Sequence, residues 1–329
     1  MLEGRKVLVT GAGGFIGSHL VEHLVHLGAE VRAFVKYNGR GDRGMLERLP
    51  AEVLEQVEVV AGDVRDPFFV RRAVAGCSHV FHLAALIGIP FSYHAPADYL
   101  AVNAAGTLNL LQACREEGVE RLVHTSTSET YGTARRVPID EDHPLQAQSP
   151  YAASKIAADK MAEAFHLSFD LPVVIVRPFN TFGPRQSARA FIPTVISQAL
   201  TRPEVHLGSL EPVRDLTYVA DTVEGMVQVG LCDRAVGRVV NLGTGRGWSV
   251  GQVARRILEL VGRPELPIRQ DPRRLRPPAS EVMRLVSDNR LARQLCGWQP
   301  RRTLDQGLTQ TIAWVRMNLE DYRPHQYQV

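Results

Sequence analysis

The sequence predicts an α/β protein built on a doubly wound parallel sheet, with a smaller C-terminal lobe. Three observations predict it. Short β-branched runs alternate with longer stretches of helical period from Lys6 onward, a glycine cluster follows the first such run, and 329 residues suit one large domain or two unequal ones. The candidate strands are Val7–Thr10, Glu30–Val35, Val57–Ala61, His79–Leu83, Arg121–Thr125 and Val173–Arg177, each short and apolar as a strand covered on both faces must be. The candidate helices include Phe15–Leu27, Ala97–Glu116 and Tyr151–Phe169. After Pro178 prolines recur and the helical runs shorten, so a second lobe is expected over 179–329, with the chain rejoining the sheet at about 215–250 through a strand at Arg238–Asn241.

Composition narrows the classes. Hydrophobic residues are 45% and charged residues 22%, which excludes a disordered or collagen-like chain. Lys plus Arg is 38 against 35 Asp plus Glu, a net charge of +3 with no dense basic run, so neither a nucleic acid nor a membrane surface is an expected partner. Cys77, Cys114, Cys232 and Cys296 form no CxxC pair, which points away from a metal site or a disulfide framework and toward a reducing, cytoplasmic setting. No run approaches the roughly 20 apolar residues of a membrane span.

The first strand ends in TGAGGFIG, placing Gly11, Gly14 and Gly17 ahead of an apolar-periodic helix. Residues without side chains let a pyrophosphate approach the unpaired amides and positive dipole end of a helix N-terminus. The spacing departs from GxGxxG, since Ile16 stands where the last glycine would fall. Residues 1–178 are accordingly expected to form a dinucleotide-binding domain of the Rossmann type. At the end of the second strand, FVKYNGRG holds no acid for the ribose hydroxyls of NAD. Lys36 and Arg40 either meet the 2′-phosphate of NADP or are solvated loop cations, so the cofactor is NAD or NADP with the charge leaning to NADP. Asp63 either accepts from the adenine amino group or caps a helix before Pro67.

YAASK puts Tyr151 and Lys155 four residues apart on one helical face. A neighbouring ammonium and a cationic nicotinamide would lower the phenol from its usual value near 10 and make Tyr151 a base. HTSTSETYG brings Thr127, Ser128 and Glu129 to the carboxyl edge of the sheet, where a hydroxyl can polarise a substrate oxygen and a shielded carboxylate can take a proton. His82 and His124 lie in strands and read as core.

Together TGAGGFIG, Thr127-Ser128-Glu129 and Tyr151 to Lys155 resemble the extended short-chain dehydrogenase/reductase family, in particular its nucleotide-sugar 4,6-dehydratases, over nearly the whole chain. RPFNTFGPR and RDLTYVADT are similar to the segments with which those enzymes hold the sugar nucleotide. YNGRGDRGMLERL, RQSARAFIPTVI and RPPASEV resemble the branch acting on UDP-N-acetylglucosamine, then the GDP-mannose dehydratases. The resemblance implies transient oxidation at carbon 4, water elimination across carbons 5 and 6, and return of the hydride. Thr127, Ser128, Glu129, Tyr151 and Lys155 would be catalytic, with Glu129 removing the carbon 5 proton. Cofactor contacts would extend to Phe15, Ile16, Val64, Leu83, Ala84 and Ala85. Asn180, Arg185, Arg214 and Arg276 would hold the diphosphate, and Ala97–Glu116 with Tyr151–Phe169 would make a four-helix homodimer contact. Many dTDP-glucose dehydratases carry Asp where Ser128 stands, which leaves the proton donor open. A UDP-glucuronate decarboxylase or an epimerase is the alternative reaction, and a non-catalytic dinucleotide sensor the alternative of another class.

Overall fold

The computed structural model describes residues 2–323. Seven parallel strands form the main sheet: β1 (Lys6–Thr10), β2 (Glu30–Lys36), β3 (Val57–Gly62), β4 (His79–His82), β5 (Arg121–Thr125), β6 (Val173–Pro178) and β7 (Val239–Leu242). Their order across the sheet is β7-β6-β5-β4-β1-β2-β3. The period of two along each strand sorts the core into two layers. Val7 and Val9 pack with Phe81, Val174 and Val176 against Leu20, Val21 and Leu24 of helix α1 (Phe15–His26). Leu8, Val80, Leu122 and Ile175 face the opposite side, against Leu110 and Leu111 of α2 (Gly106–Glu116) and Phe165 of α3 (Pro150–Phe169). Successive crossovers run outward in both directions from the neighbours β1 and β4, so a crevice opens beyond their carboxyl ends.

Three local features shape that crevice. Gly11 turns the chain out of β1 with φ +69°, and a Cβ there would lie 2.8 Å from the Ala84 backbone nitrogen. Ser149 caps α3 by accepting the Ala152 amide, and Pro150 occupies the first turn, which fixes Tyr151 and Lys155 at the helix start. The third departs from the sequence expectation of one helix over Ala97–Glu116. The segment opens with a short helix, Pro96–Tyr99, continues as a π-helical turn over Leu100–Ala105, and only then becomes α2. The widened turn lets Asn103 brace the loop after β4. Its Oδ1 accepts the Leu86 amide at 2.8 Å, and its Nδ2 donates to Leu86 O and to Ser154 Oγ, both at 2.9 Å.

Beyond Pro178, Asn180–Phe182, Val213–Tyr218, Gly247–Ser249 and Arg284–Leu285 make a small mixed sheet, and Val205–Leu207 pairs with Ile268–Gln270. The chain returns through the helix Val219–Gly230 to β7, whose Val239 registers on Ile175. One apolar cluster runs from Leu2 to Tyr322 and joins both sheets. All four cysteines are free thiols, and among the described residues no helix is long and apolar enough to cross a membrane.

Candidate active site

A cavity of about 770 Å³ lies at the carboxyl ends of β1, β4, β5 and β6. That volume is in the range that encloses small ligands. Its floor is the glycine turn. Gly14 stands at the N-cap of α1 with no side-chain cap, and Gly11, Gly14, Phe15, Ile16 and Gly17 all line the space. A Cβ on Gly17 would fall 2.2 Å from the Gly11 carbonyl oxygen, so the turn itself excludes any side chain there. Thr10 Oγ1 accepts the amides of Leu83 (3.2 Å) and Ala84 (3.1 Å), binding the end of β4 to β1, and Leu83, Ala84 and Ala85 continue the wall. An open helix N-terminus with no acid in its first turn fits the diphosphate of a dinucleotide.

At the far end, Lys36, Asp63 and Val64 line the cavity beyond β2 and β3. Arg65 forks onto Asp63 (Nε–Oδ1 3.0 Å, Nη2–Oδ2 2.7 Å), and this hydrogen-bonded guanidinium holds the carboxyl below its usual range. Arg40 is exposed and lies outside the lining; the neighbouring cation that does reach it is Arg43. The loop after β2 folds over the glycine turn, Met45 donating to Gly13 O at 2.9 Å and Gly44 adopting φ +64°. An acid absent from the strand end, Asp42, also borders the space, with Oδ1 accepting the Gly44 amide at 2.6 Å.

At the sheet end, Thr127 leaves β5 in extended conformation and starts the 3₁₀ turn Ser128–Tyr131, its Oγ1 accepting the Glu129 amide at 3.3 Å. Thr127, Ser128, Glu129, Tyr151 and Lys155 line one wall. Burial pushes the Tyr151 phenol above its usual value; a hydrogen bond with the Thr127 side chain opposes this, while the Glu129 and Asp159 charges add to it. Burial therefore works against the phenolate that the sequence expectation assigns to Tyr151 with an ammonium and a cationic nicotinamide beside it. Lys155 Nζ donates to Thr125 O at 2.7 Å, and burial pushes the ammonium down to about 8. Asn180 faces the cavity with a buried Oδ1 that accepts no hydrogen bond from the described residues.

The arginines divide. Arg276 lines the cavity, and its Nη1, buried without a hydrogen bond, stands 3.7 Å from Glu281. Arg214 is buried just behind, 3.5 Å from the same carboxylate; burial pushes its guanidinium down, and the Glu129 charge is the foremost one opposing that. Arg185 is not brought to the site. It is buried in a turn at φ +65°, pairs with Glu22 at 2.6 Å and sits over the Trp314 ring. His82 bridges Thr10 (2.8 Å) and Thr107 (2.9 Å) inside the sheet, and His124 contacts Asp159; both are core. Sequence reasoning passed over the loop Ile87–Pro90 and read Gln186–Ala190 only as part of RQSARAFIPTVI, without assigning it to the site; both border the mouth. The Gly-Pro punctuation around Gly88 and the Arg189 of RQSARAF were the available signals.

A glycine turn, a Tyr/Lys helix and a Thr-Ser-Glu turn around one crevice define an extended short-chain dehydrogenase/reductase acting on sugar nucleotides. Residues 8–311 match the family described as GDP-mannose 4,6 dehydratase, and the chain belongs to this nucleotide-sugar dehydratase/epimerase family. It is 34% identical over 318 residues to the UDP-glucose 4-epimerase of Mycolicibacterium smegmatis, covering 94% of this chain and 98% of that one. It is 32% identical over 336 residues to UDP-glucuronic acid decarboxylase 1 of Xenopus tropicalis, covering 98% and 75%. The solved dTDP-glucose 4,6-dehydratase DesIV of Streptomyces venezuelae, with NAD and TYD bound, superposes with a TM-score of 0.89 at 29% identity, covering 98% of this chain and all of that one. These relatives carry out three different reactions, so the site must discriminate.

Proposed function

We propose that this chain is a nucleotide-sugar 4,6-dehydratase, with UDP-N-acetylglucosamine as its substrate. The observation that carries the reading is that Glu129 and Tyr151 line the same cavity as the glycine turn, close enough for the carboxylate to act on the phenol electrostatically. The unengaged amides at the start of α1 and the side-chain-free turn before it would hold the dinucleotide. When bound, NAD or NADP supplies a hydride acceptor at carbon 4 and the donor at carbon 6. Thr127 hydrogen-bonds the carbon 4 hydroxyl, and Tyr151, with Lys155 compensating its charge, takes the proton.

The adjacent ketone acidifies carbon 5, from which Glu129 removes a proton. The electrons of that C–H bond form the carbon 5–carbon 6 double bond as the carbon 6–oxygen bond breaks. Three carboxylates line the cavity, Asp42, Asp63 and Glu129, and the first two stand beyond β2 and β3. With Ser128 in place of a second acid, Glu129 itself passes the proton to the departing hydroxyl, which leaves as water. Once the hydride is back at carbon 6, Glu129 delivers a solvent-derived proton to carbon 5. Arg276 and Asn180, each with a buried polar atom that makes no hydrogen bond among the described residues, would take the diphosphate, with Arg214 behind them.

A second reading, UDP-glucuronate decarboxylation, is favoured by the cationic pair Arg214 and Arg276 beside Glu129, which suits a substrate carboxylate. Product mass separates the two: loss of water from UDP-N-acetylglucosamine supports the dehydratase, loss of carbon dioxide from UDP-glucuronate the decarboxylase. The exposed Leu108 of α2 and Met161 of α3 support a homodimer built through these helices, tested by mass in solution.

A further inference from the structure

Behind the catalytic wall lies a buried polar cluster that the reaction above does not use. Asp159 stands one turn beyond Lys155 and two beyond Tyr151 on the buried face of α3. Its Oδ1 contacts His124 Nε2 of β5 at 3.1 Å. Its Oδ2 accepts from Ser126 Oγ at 2.6 Å and from Arg177 Nη2 of β6 at 2.7 Å, and the Arg177 guanidinium lies 4.6 Å from the centre of the Tyr131 ring. Asp159, His124 and Arg177 are all at most 1% exposed. Lys155 therefore shares one dry compartment with a fixed guanidinium, two imidazoles, His82 and His124, and a single carboxylate.

We propose that Asp159 is a positioning residue for catalysis: anchored by three donors, it offsets the Arg177 charge so that Lys155 stays protonated at working pH and can compensate the Tyr151 phenolate. This rests on the proposed role of Lys155 beside Tyr151. The physical basis is that burial already disfavours the ammonium, and Arg177 disfavours it further, while Asp159 is the charge that supports it. Asp159 and Glu129 also oppose the phenolate directly, so the Lys155 titration itself is the deciding readout. A neutral Lys155 could still donate to Thr125 O, but it would carry no charge to set against the phenolate. Turnover should then fall as pH rises through the Lys155 titration.

Two substitutions move that titration in opposite directions. Asp159→Asn keeps the shape and removes the negative charge, so the alkaline limb of turnover shifts to lower pH by about one unit, a roughly tenfold loss on that limb. Arg177→Gln removes the opposing charge and leaves Asp159 held by Ser126 and His124, so the limb shifts to higher pH. The chain has four lysines, Lys6, Lys36, Lys155 and Lys160, so 13Cε-lysine NMR of each variant follows Lys155 directly and needs no turnover. Expected are opposite shifts in the NMR titration, matched by the activity limbs. An unmoved Lys155 titration in folded Asp159→Asn would overturn the proposal; if that variant does not fold, a downward or absent shift in Arg177→Gln would do so. Opposite NMR shifts in a protein that turns over no sugar nucleotide would instead overturn the functional reading and leave the electrostatic one standing.

Discussion

Replacing Glu129 by Gln removes the proton acceptor while preserving the size of the side chain, and the structure sets how much should be lost. No other carboxylate can substitute: Asp63 is clamped by the Arg65 fork and Asp42 is engaged by the Gly44 amide, both at the far end of the cavity. Positioned acid-base groups contribute roughly 10²–10⁴-fold per proton transfer, equivalent to about 3–5 kcal/mol of barrier. Because Glu129 is assigned both the removal of the carbon 5 proton and its delivery to the departing hydroxyl, elimination should fall toward the upper end of that range. Oxidation at carbon 4 uses Thr127 and Tyr151 and should survive within about tenfold. The assay follows reduced nicotinamide by absorbance and dehydrated product by mass spectrometry in single turnovers. Reduced cofactor should accumulate in Glu129→Gln and not in the parent chain. Intact elimination in this variant, with no accumulation of reduced cofactor, would refute the assignment.

Ser128→Ala should retain elimination within a few-fold, since the hydroxyl is not assigned the proton; a loss of about 100-fold with oxidation intact would make Ser128 the donor. Gly17→Ala drives a methyl onto the Gly11 carbonyl oxygen, 2.2 Å away, and should cost about 1–3 kcal/mol of stability and most dinucleotide affinity, read by thermal melts with and without NAD. Lys36→Ala combined with Arg43→Ala should lower NADP affinity by about tenfold or more while changing NAD affinity little, measured by fluorescence titration. Glu141, pushed up to about 7 by burial, binds a proton in the folded state that the unfolded chain has released between about 4.5 and 7, so stability falls as pH rises through that window. Glu141→Gln should therefore stabilise the fold above pH 7 by about 1–3 kcal/mol and change little below 4.5 in chemical denaturation.

The strands were legible because the inner ones are buried on both faces and rich in apolar and β-branched residues, while the edge strand β3, with Glu58 and Ala61 exposed, still carries a Val57, Val59, Val60 run. Val7, Leu8 and Val9 alternate between layers without any of them being polar. The π turn at Leu100–Ala105 was not legible, since it goes with a long-range brace from Asn103 to Leu86 that no local pattern announces. Charge type without a destination misplaced two arginines. Arg185 is diverted to Glu22, and Arg43, not Arg40, reaches the cofactor end because Gly44 turns the chain there. The Tyr/Lys pair could be read from its spacing. The direction in which burial drives the phenol, and the carboxylate of Asp159 one turn deeper, depend on which side chains β5 and β6 bring beneath the helix.

The most direct test is incubation of the purified chain with UDP-N-acetylglucosamine, GDP-mannose and UDP-glucuronate in deuterated water, followed by product mass and the position of deuterium. A phenol and a carboxylate working on one sugar predict loss of water from UDP-N-acetylglucosamine, one solvent deuterium at carbon 5, and no net consumption of cofactor. Release of carbon dioxide from UDP-glucuronate alone, or inversion at carbon 4 with carbons 5 and 6 untouched, would contradict it.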